Sequence, residues 1–197
     1  MELRNLITFI NVAELGSFTK AAEVLDYSQS TEGLISRGYD VLPIVSENVY
    51  ATDTRFGKAE ELIERVERLC GQKAVHTIVG AEPLGPKISL EAMIISPCTG
   101  NTLAKLASGI TDTAVCMAAK AHLRSNRPLV IALASNDALS ANLKNIATLL
   151  SRKFVYFVPM LQDDPKNKPH SLIADFDLLY PTFESAMCGI QYQKLFV

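Results

Sequence analysis

The stretch Ala92-Met93-Ile94-Ile95-Ser96-Pro97-Cys98-Thr99-Gly100-Asn101-Thr102 places a polar turn directly after a short apolar segment. A short apolar segment that ends at a proline is typical of a strand covered on both faces. The turn offers the side chains of Thr99, Asn101 and Thr102, together with backbone N–H groups at the N-terminus of a predicted helix. These uncharged groups suit a phosphate or the edge of a heterocycle better than a metal ion. An ordinary helix cap formed by Thr99 or Asn101 is the alternative interpretation.

The alternation of strand and helix continues along the chain from residue 34. Short apolar segments predict strands, and apolar residues at helical spacing predict helices. Strands are predicted at 41–46, 92–96, 128–133 and 154–158, and helices at 58–70, 102–107, 114–124 and 136–151. Because regular alternation builds a parallel sheet with right-handed crossovers, the predicted fold is an α/β three-layer sandwich.

Polar residues follow three of these predicted strands. Ser46 stands at the end of the first, Thr99 lies in the turn after the second, and Ser135 and Asn136 follow the third. Because the carboxyl ends of parallel strands meet at one edge of a sheet, these turns predict a ligand crevice there. Capping of the next helix is the alternative for Ser135, Asn136 and Asp137. Arg55 is a candidate to bind a carboxylate or phosphate at this edge, and a solvated loop arginine is the alternative.

The composition narrows the function classes. The 197 residues carry a formal net charge of −2 and the pI is about 5.9, which argues against a nucleic-acid-binding surface. The four cysteines form no CxxC pair and the three histidines are isolated, so no metal site is indicated. No apolar stretch approaches the roughly 18 residues that span a bilayer, and no signal peptide is recognisable. A cytoplasmic protein without a membrane partner is therefore expected.

Cys98 is a thiol inside the polar turn, which raises the question of nucleophilic catalysis. No basic residue lies close to it in the sequence, and an unactivated thiol is a poor nucleophile. Packing is therefore the favoured role of Cys98, and no catalytic residue is predicted.

Several separate motifs, in the same order, resemble the family of dipicolinate synthase B subunits over residues 34 to 187. These motifs are Asp40–Ser46, Thr54–Gly57, Ala81–Lys87, Pro97–Thr113, Met117–Lys120, Ser135–Leu139 and Tyr156–Pro159. The family belongs to a flavoprotein superfamily with a flavodoxin-like or Rossmann-like fold, which also includes flavin-dependent cysteine decarboxylases. Those decarboxylases carry a histidine on the first helix, whereas no histidine precedes His76 here. The resemblance therefore favours the synthase over a decarboxylase.

The resemblance implies a cofactor, FMN, and a partner, the dehydrogenase-like A subunit with its NAD(P). Together the two proteins would oxidise dihydrodipicolinate to dipicolinic acid in the mother cell of a spore former, and a homo-oligomer is expected. The residues that would line the flavin are Ser46, Thr99, Asn101, Thr102, Ser135 and Asn136. Arg55 and Lys120 would bind the two substrate carboxylates or stabilise a partner interface, and for Lys120 a helix-surface charge is the alternative.

Residues 1–30 depart from this family and resemble the first two helices of a LysR-type transcription regulator. In such regulators the next helix reads the major groove, and that helix is absent here. We therefore expect no DNA binding. The predicted division of the chain is a LysR-like segment at 1–31 and a flavoprotein domain at 32–197.

The LysR-like segment stands where the flavoprotein fold needs its first strand, phosphate turn and first helix. Residues 6–12 have the β-branched and aromatic content of a central strand, Gly16-Ser17 resembles the phosphate turn, and residues 20–34 would be the helix. A helix over residues 3–14 is the alternative. Two functions stay open: an FMN-binding part of the synthase, or a cofactor-free remnant or assembly protein.

Overall fold

A computed structural model of the chain describes the backbone of residues 6–11, and residues 31–53 and 58–197 with their side chains. The predicted phosphate turn Gly16-Ser17 and the candidate Arg55 lie outside the described residues. The strands are β1 Leu6–Asn11, β2 Asp40–Val45, β3 Ala92–Thr99, β4 Leu129–Ser135, β5 Val155–Phe157, β6 Met160–Leu161 and β7 Leu172–Ala174. The helices are α1 at residues 31–36, α2 Glu47–Ala51, α3 Ala59–Cys70, α4 Ile78–Ala81, α5 Gly100–Ser108, α6 Ala114–Leu123, α7 Leu143–Leu150 and α8 Leu179–Met187.

The described strands form one seven-stranded sheet with a parallel core in the order β2-β1-β3-β4-β5. The strand β4 pairs with β5 through its first three residues and with the antiparallel β7 at Ala134 and Ser135. The strand β6 pairs antiparallel with β7. The predicted α/β fold with a parallel sheet is confirmed, and the antiparallel β6–β7 pair is an addition that the sequence pattern did not indicate.

The strand β1 lies inside the sheet, between β2 and β3. It pairs in parallel with β2 from Leu6 to Asn11 and with β3 from Ile7 to Ile10. The structure therefore has a strand at residues 6–11, and the alternative helix over residues 3–14 is wrong at these positions. The LysR-like segment supplies a central strand to the flavoprotein sheet.

Helices cover both faces of the sheet. Along β3, Met93 and Ile95 pack with residues of α5, α6 and α7, whereas Ala92 and Ile94 pack with residues of α1, α3 and α8. Full burial of a large aliphatic side chain contributes about 1.5–3 kcal/mol, so two such layers give the sheet a substantial core on each side. The arrangement is the expected three-layer sandwich.

Three predicted boundaries are wrong. The strand predicted at 92–96 continues to Thr99, and the helix predicted at 102–107 begins at Gly100. The helix predicted at 136–151 begins only at Leu143. Residues 136–142 form turns instead, because Asn142 N–H bonds back to the carbonyl of Asp137 and Leu139 N–H bonds to the carbonyl of His170.

Two outer strands of the described sheet, β2 and β6, bond to further segments of the chain. Beside β2, Val45 N–H donates to the carbonyl of Val75, and Val75 N–H donates to the carbonyl of Pro43, both at 2.9 Å. Beside β6, Met160 N–H donates to the carbonyl of Leu195 at 2.8 Å, and the Met160 carbonyl accepts from Val197 N–H at 3.1 Å. The strands β2 and β6 therefore have backbone partners on both sides, whereas on β5 the backbone of Phe157 bonds to the side chain of Gln191.

His122, on α6, is a fully buried titratable residue. Its Nε2 lies 2.9 Å from the carbonyl oxygen of Pro128, which can only accept, so Nε2 carries the proton. Among the described residues Nδ1 has no hydrogen-bond partner. Burial lowers the pKa of His122 below its usual 6.5; the nearby charge of Arg127 adds to this, against the opposing hydrogen bond to Pro128.

We expect this histidine to make the stability of the protein depend on pH. Because its folded pKa is lowered, the unfolded chain binds the proton more readily, and the free energy of unfolding falls as the pH drops below about 6.5. The contribution is at most about 1.4 kcal/mol per pH unit. Urea denaturation between pH 7.5 and 5 would measure it, with His122→Gln removing this part of the slope. His170→Gln is the control, because His170 is exposed; equal slopes for the wild type and His122→Gln would contradict the prediction.

Candidate functional site

The sheet order creates a crevice at the carboxyl ends of β1 and β3. The strand β1 lies between β2 and β3, so the chain leaves β1 towards one side of the sheet and later returns to the other side as β3. Ligands of open α/β sheets bind at the point where the strand order reverses in this way. We call this place the β1/β3 crevice, and the edge of the sheet on which it lies the carboxyl edge. The described residues at this edge are the turns after β2, β3 and β4.

The turn after β3 leads directly into α5. The hydroxyl of Thr99 accepts the backbone N–H of Thr102 at 3.3 Å and lies 3.3 Å from the Thr102 hydroxyl. Thr99 is thus the N-cap of α5, while Asn101 is exposed at the edge. The capping interpretation of Thr99 is confirmed, and the N-terminus of α5 points to the carboxyl edge, where it favours an anionic or electron-rich group.

Cys98 lies beneath this turn and is fully buried. Burial, with a smaller contribution from the Cys116 thiol, raises the pKa of Cys98 far above its usual range. The thiol is therefore protonated at neutral pH and is not an activated nucleophile. This agrees with the packing role that the sequence indicates.

Gly100 brings the turn after β3 into direct contact with the turn after β4. A Cβ atom on Gly100 would lie 2.5 Å from Oγ of Ser135, 2.7 Å from Nδ2 of Asn142 and 2.9 Å from Oδ1 of Asp137. Such distances are too short for any side chain larger than hydrogen. Glycine is needed here because of this close approach.

The three polar residues against Gly100 form a small hydrogen-bond cluster. Oδ1 of Asp137 accepts from the Ser135 hydroxyl at 2.5 Å and from the Asn142 amide at 2.9 Å. Burial raises the pKa of Asp137, but these two hydrogen bonds and a backbone hydrogen bond together outweigh it and hold the pKa below its usual value. Asp137 is therefore ionised at neutral pH, the Ser135 proton points to it, and the Ser135 oxygen is left to accept a hydrogen bond.

The turn after β2 joins α2 to α6. Ser46 is the N-cap of α2 and accepts the N–H of Val49 at 3.3 Å. The next residue, Glu47, accepts the N–H of Ala114 at 3.2 Å and so caps the N-terminus of α6. A carboxylate at a helix N-terminus is stabilising, and this one ties two elements at the carboxyl edge together.

The structure brings part of the predicted set together. Thr99, Ser135 and Asn136 lie in the adjacent turns after β3 and β4, and Ser46 lies at the same edge on the other side of β1. Lys120 lies elsewhere: it is exposed near the end of α6, about two helical turns from the Ala114 end that reaches the carboxyl edge. Gly16, Ser17 and Arg55 are not among the described residues.

Sequence reasoning did not assign Gly100, Asn142 and Glu47 to the site, and it considered Asp137 only as a helix cap. A glycine directly after a strand and a serine two residues before an aspartate were visible in the sequence, but their contact joins residues about 35 to 40 positions apart. Within residues 31–53 and 58–197, no group of three or more potential ligands is placed to hold a metal ion. No described helix is long and apolar enough to cross a membrane.

Comparison with protein families gives two matches. The model described as "Flavoprotein" matches residues 20–176, which is most of the chain. The model of the LysR family of bacterial regulatory helix-turn-helix proteins matches residues 3–32, a small part of the chain that includes the strand β1.

Individual proteins give a consistent result. The dipicolinate synthase B subunit of Bacillus subtilis is 47% identical over 166 residues, which are 84% of this chain and 83% of that protein. The crystal structure of the dipicolinate synthase B subunit from Bacillus halodurans C superposes with a TM-score of 0.85 at 39% identity, over 100% of this chain and 98% of that one. The crystal structure of AnUbiX (PadA1) with FMN and dimethylallyl pyrophosphate has a TM-score of 0.60 at 20% identity, over 79% and 78% of the two chains, and shows the fold alone.

Proposed function

Because the chain belongs to the flavoprotein family, and within it to the family of dipicolinate synthase B subunits, we propose that it binds FMN at the β1/β3 crevice. The position of the crevice supports this, since FMN in flavodoxin-like sheets lies where β1 and β3 diverge. The single observation that carries the proposal is the contact of the β3 and β4 turns through Gly100, which makes them one continuous floor on the β3 side of the crevice.

The described residues at this edge fit a flavin. Thr99, Gly100 and Asn101 are small and uncharged, so a planar ring can approach the backbone of the turn. The carboxylate of Asp137 is held by Ser135 and Asn142, which limits its repulsion of electron-rich ring atoms. The Ser135 oxygen can accept a hydrogen bond from a ring N–H, and the N-terminus of α5 can stabilise a carbonyl or a negative charge.

The proposed division of labour follows the resemblance. When bound, a flavin supplies the capacity to accept and donate electrons. Asn101, Thr102 and Asn136 would orient it, together with Ser46, and Gly16-Ser17 would hold its phosphate. The A subunit, with NAD(P), would accept the hydride removed from dihydrodipicolinate as dipicolinic acid forms, in the mother cell of a spore former.

Substrate binding is proposed for Arg55, whose guanidinium would pair with a substrate carboxylate. Lys120 does not join this group within a single chain, because it lies near the far end of α6. Its remaining role in the proposal is at a surface between protein chains, either of a homo-oligomer or with the A subunit.

A second candidate is an assembly protein that keeps the fold without the cofactor. One observation favours it: the hydroxyls of Ser46, Thr99 and Ser135 all take part in local hydrogen bonds. Each of these hydrogen bonds would stabilise the fold even in a protein that no longer binds the ligand. The two candidates differ in whether the crevice binds FMN.

We expect the purified chain to show flavin absorption bands or to take up added FMN with quenching of the FMN fluorescence. Asn136→Ala, at the exposed end of the floor, is expected to weaken FMN binding several-fold, the contribution of about one hydrogen bond. Thr148→Ala is the control, because Thr148 is an exposed polar residue on α7 whose hydroxyl bonds within that helix. A colourless protein that does not bind added FMN would overturn the proposal in favour of the assembly protein.

A further inference from the structure

A cavity of about 300 Å³ lies between the C-terminal ends of α5, α6 and α7. Leu129, the first residue of β4, lines it, so the cavity is at the amino edge of the sheet, opposite the β1/β3 crevice. Its floor is apolar and its rim is positive. The floor includes Leu106, Leu129 and Leu149, and the rim carries Lys120, Arg124 and Arg152. We call it the cationic cavity.

The three positive side chains have no carboxylate partner in the described part of the chain. The ion pairs there join other cations to acids, among them Lys105 with Asp112 at 3.1 Å. Arg152 makes one long hydrogen bond, 3.5 Å, to the carbonyl of Ala107 at the end of α5. None of the described aspartates and glutamates lines the cavity.

The negative ends of the three helix dipoles do not neutralise the three positive side chains at the rim. Each helix C-terminus carries roughly half a negative charge, so three of them supply about −1.5 against a formal charge of +3 on the rim. The cavity therefore keeps a positive potential above an apolar floor. A molecule complementary to both has an apolar body and a carboxylate, and the cavity volume is that of a small ligand pocket.

We propose that the cationic cavity binds a small aromatic or aliphatic carboxylate, in a site separate from the flavin crevice. The apolar body packs against Leu106, Leu129 and Leu149. The carboxylate lies at the rim, where Arg124 and Arg152 offer guanidinium forks and Lys120 adds a third charge. The proposal does not depend on flavin binding, because none of these residues lies at the carboxyl edge.

The test is an isothermal calorimetric titration of the full chain with 2-naphthoate. The same titration with 2-naphthol, the uncharged analogue, is the comparison. We expect the double variant Arg124→Gln/Arg152→Gln to weaken 2-naphthoate binding about tenfold or more, because charge-assisted hydrogen bonds are lost. Binding of 2-naphthol should change little. Both arginines are exposed, so the variant should fold, which circular dichroism and the Tm would confirm.

Arg65→Gln is the matched control, because Arg65 is an exposed arginine on α3, a helix that does not line the cavity. Saturation with FMN should leave 2-naphthoate binding unchanged. Competition by FMN would place 2-naphthoate in the flavin crevice and overturn the proposal, as would absence of 2-naphthoate binding or an unchanged affinity in the double variant. Failure of FMN binding alone would leave this proposal standing and remove only the proposed function.

Discussion

A chain that begins at residue 32 is expected to be unable to fold. The deletion removes β1, which pairs with six residues of β2 and four of β3 in the centre of the sheet. Without it, β2 and β3 both become open edges, and the backbone groups that faced β1 lose their partners. We expect the loss to exceed the roughly 5–15 kcal/mol by which domains are typically stable, because the backbone pairing on both sides of a central strand is lost.

The measurement is the yield of soluble protein and the cooperativity of urea unfolding. A chain that lacks only residues 1–5 keeps the whole of β1 and is the control, which should unfold cooperatively. If the chain 32–197 were soluble and unfolded in one cooperative transition, residues 1–31 would be a separate domain, and the central position of β1 would not matter for stability.

Gly100→Ala is expected to destabilise the protein and to weaken FMN binding. The new Cβ would approach Ser135, Asn142 and Asp137 to between 2.5 and 2.9 Å. These are short side chains hydrogen-bonded to one another, so none can move away without breaking the cluster. Overpacking together with the loss of a charged hydrogen bond costs roughly 2–4 kcal/mol, and displacement of the crevice floor should lower FMN affinity by about tenfold or more.

Gly33→Ala is the matched control, because Gly33 lies within α1 and its Cβ would have one neighbour, the Arg37 guanidinium, at 3.4 Å. Alanine in a helix is favoured over glycine, so this variant should be as stable as the wild type or more stable. Thermal denaturation and FMN titration measure both effects. The double variant Gly100→Ala/Ser135→Gly removes the shortest contact and should recover part of the stability. If Gly100→Ala behaved like Gly33→Ala, the two turns would not form a rigid floor.

The layers of the fold could be predicted because each strand and helix has its own local pattern. Apolar segments such as Ala92 to Ser96 are buried on both faces, and their alternation with helices predicts the parallel sheet. The antiparallel β6–β7 pair could not be predicted in this way. Its strands have only two and three residues, too few for a period, and their pairing depends on contacts with β4.

The site could be predicted only in outline. The carboxyl ends of parallel strands meet by geometry, so the sequence places Thr99, Ser135 and Asn136 in neighbouring turns. The contact of Gly100 with Asp137 and Asn142 depends on side chains from distant positions and has no local signal. The helix predicted from residue 136 begins late for the same reason, because Asp137 is bonded to Ser135 and Asn142 instead of starting a helix.

The bonding of β2 to Val75 and of β6 to the final residues of the chain limits how copies of this protein can associate. An unpaired outer strand is a template for edge-to-edge aggregation and for dimers that extend a sheet from one copy into the next. Here the protein supplies its own backbone partners for β2 and β6, whereas the edge strand β5 bonds through Phe157 to the side chain of Gln191. A homo-oligomer of this chain would therefore not extend the sheet through β2 or β6, and removal of residues 193–197 would expose β6 as a new surface for self-association.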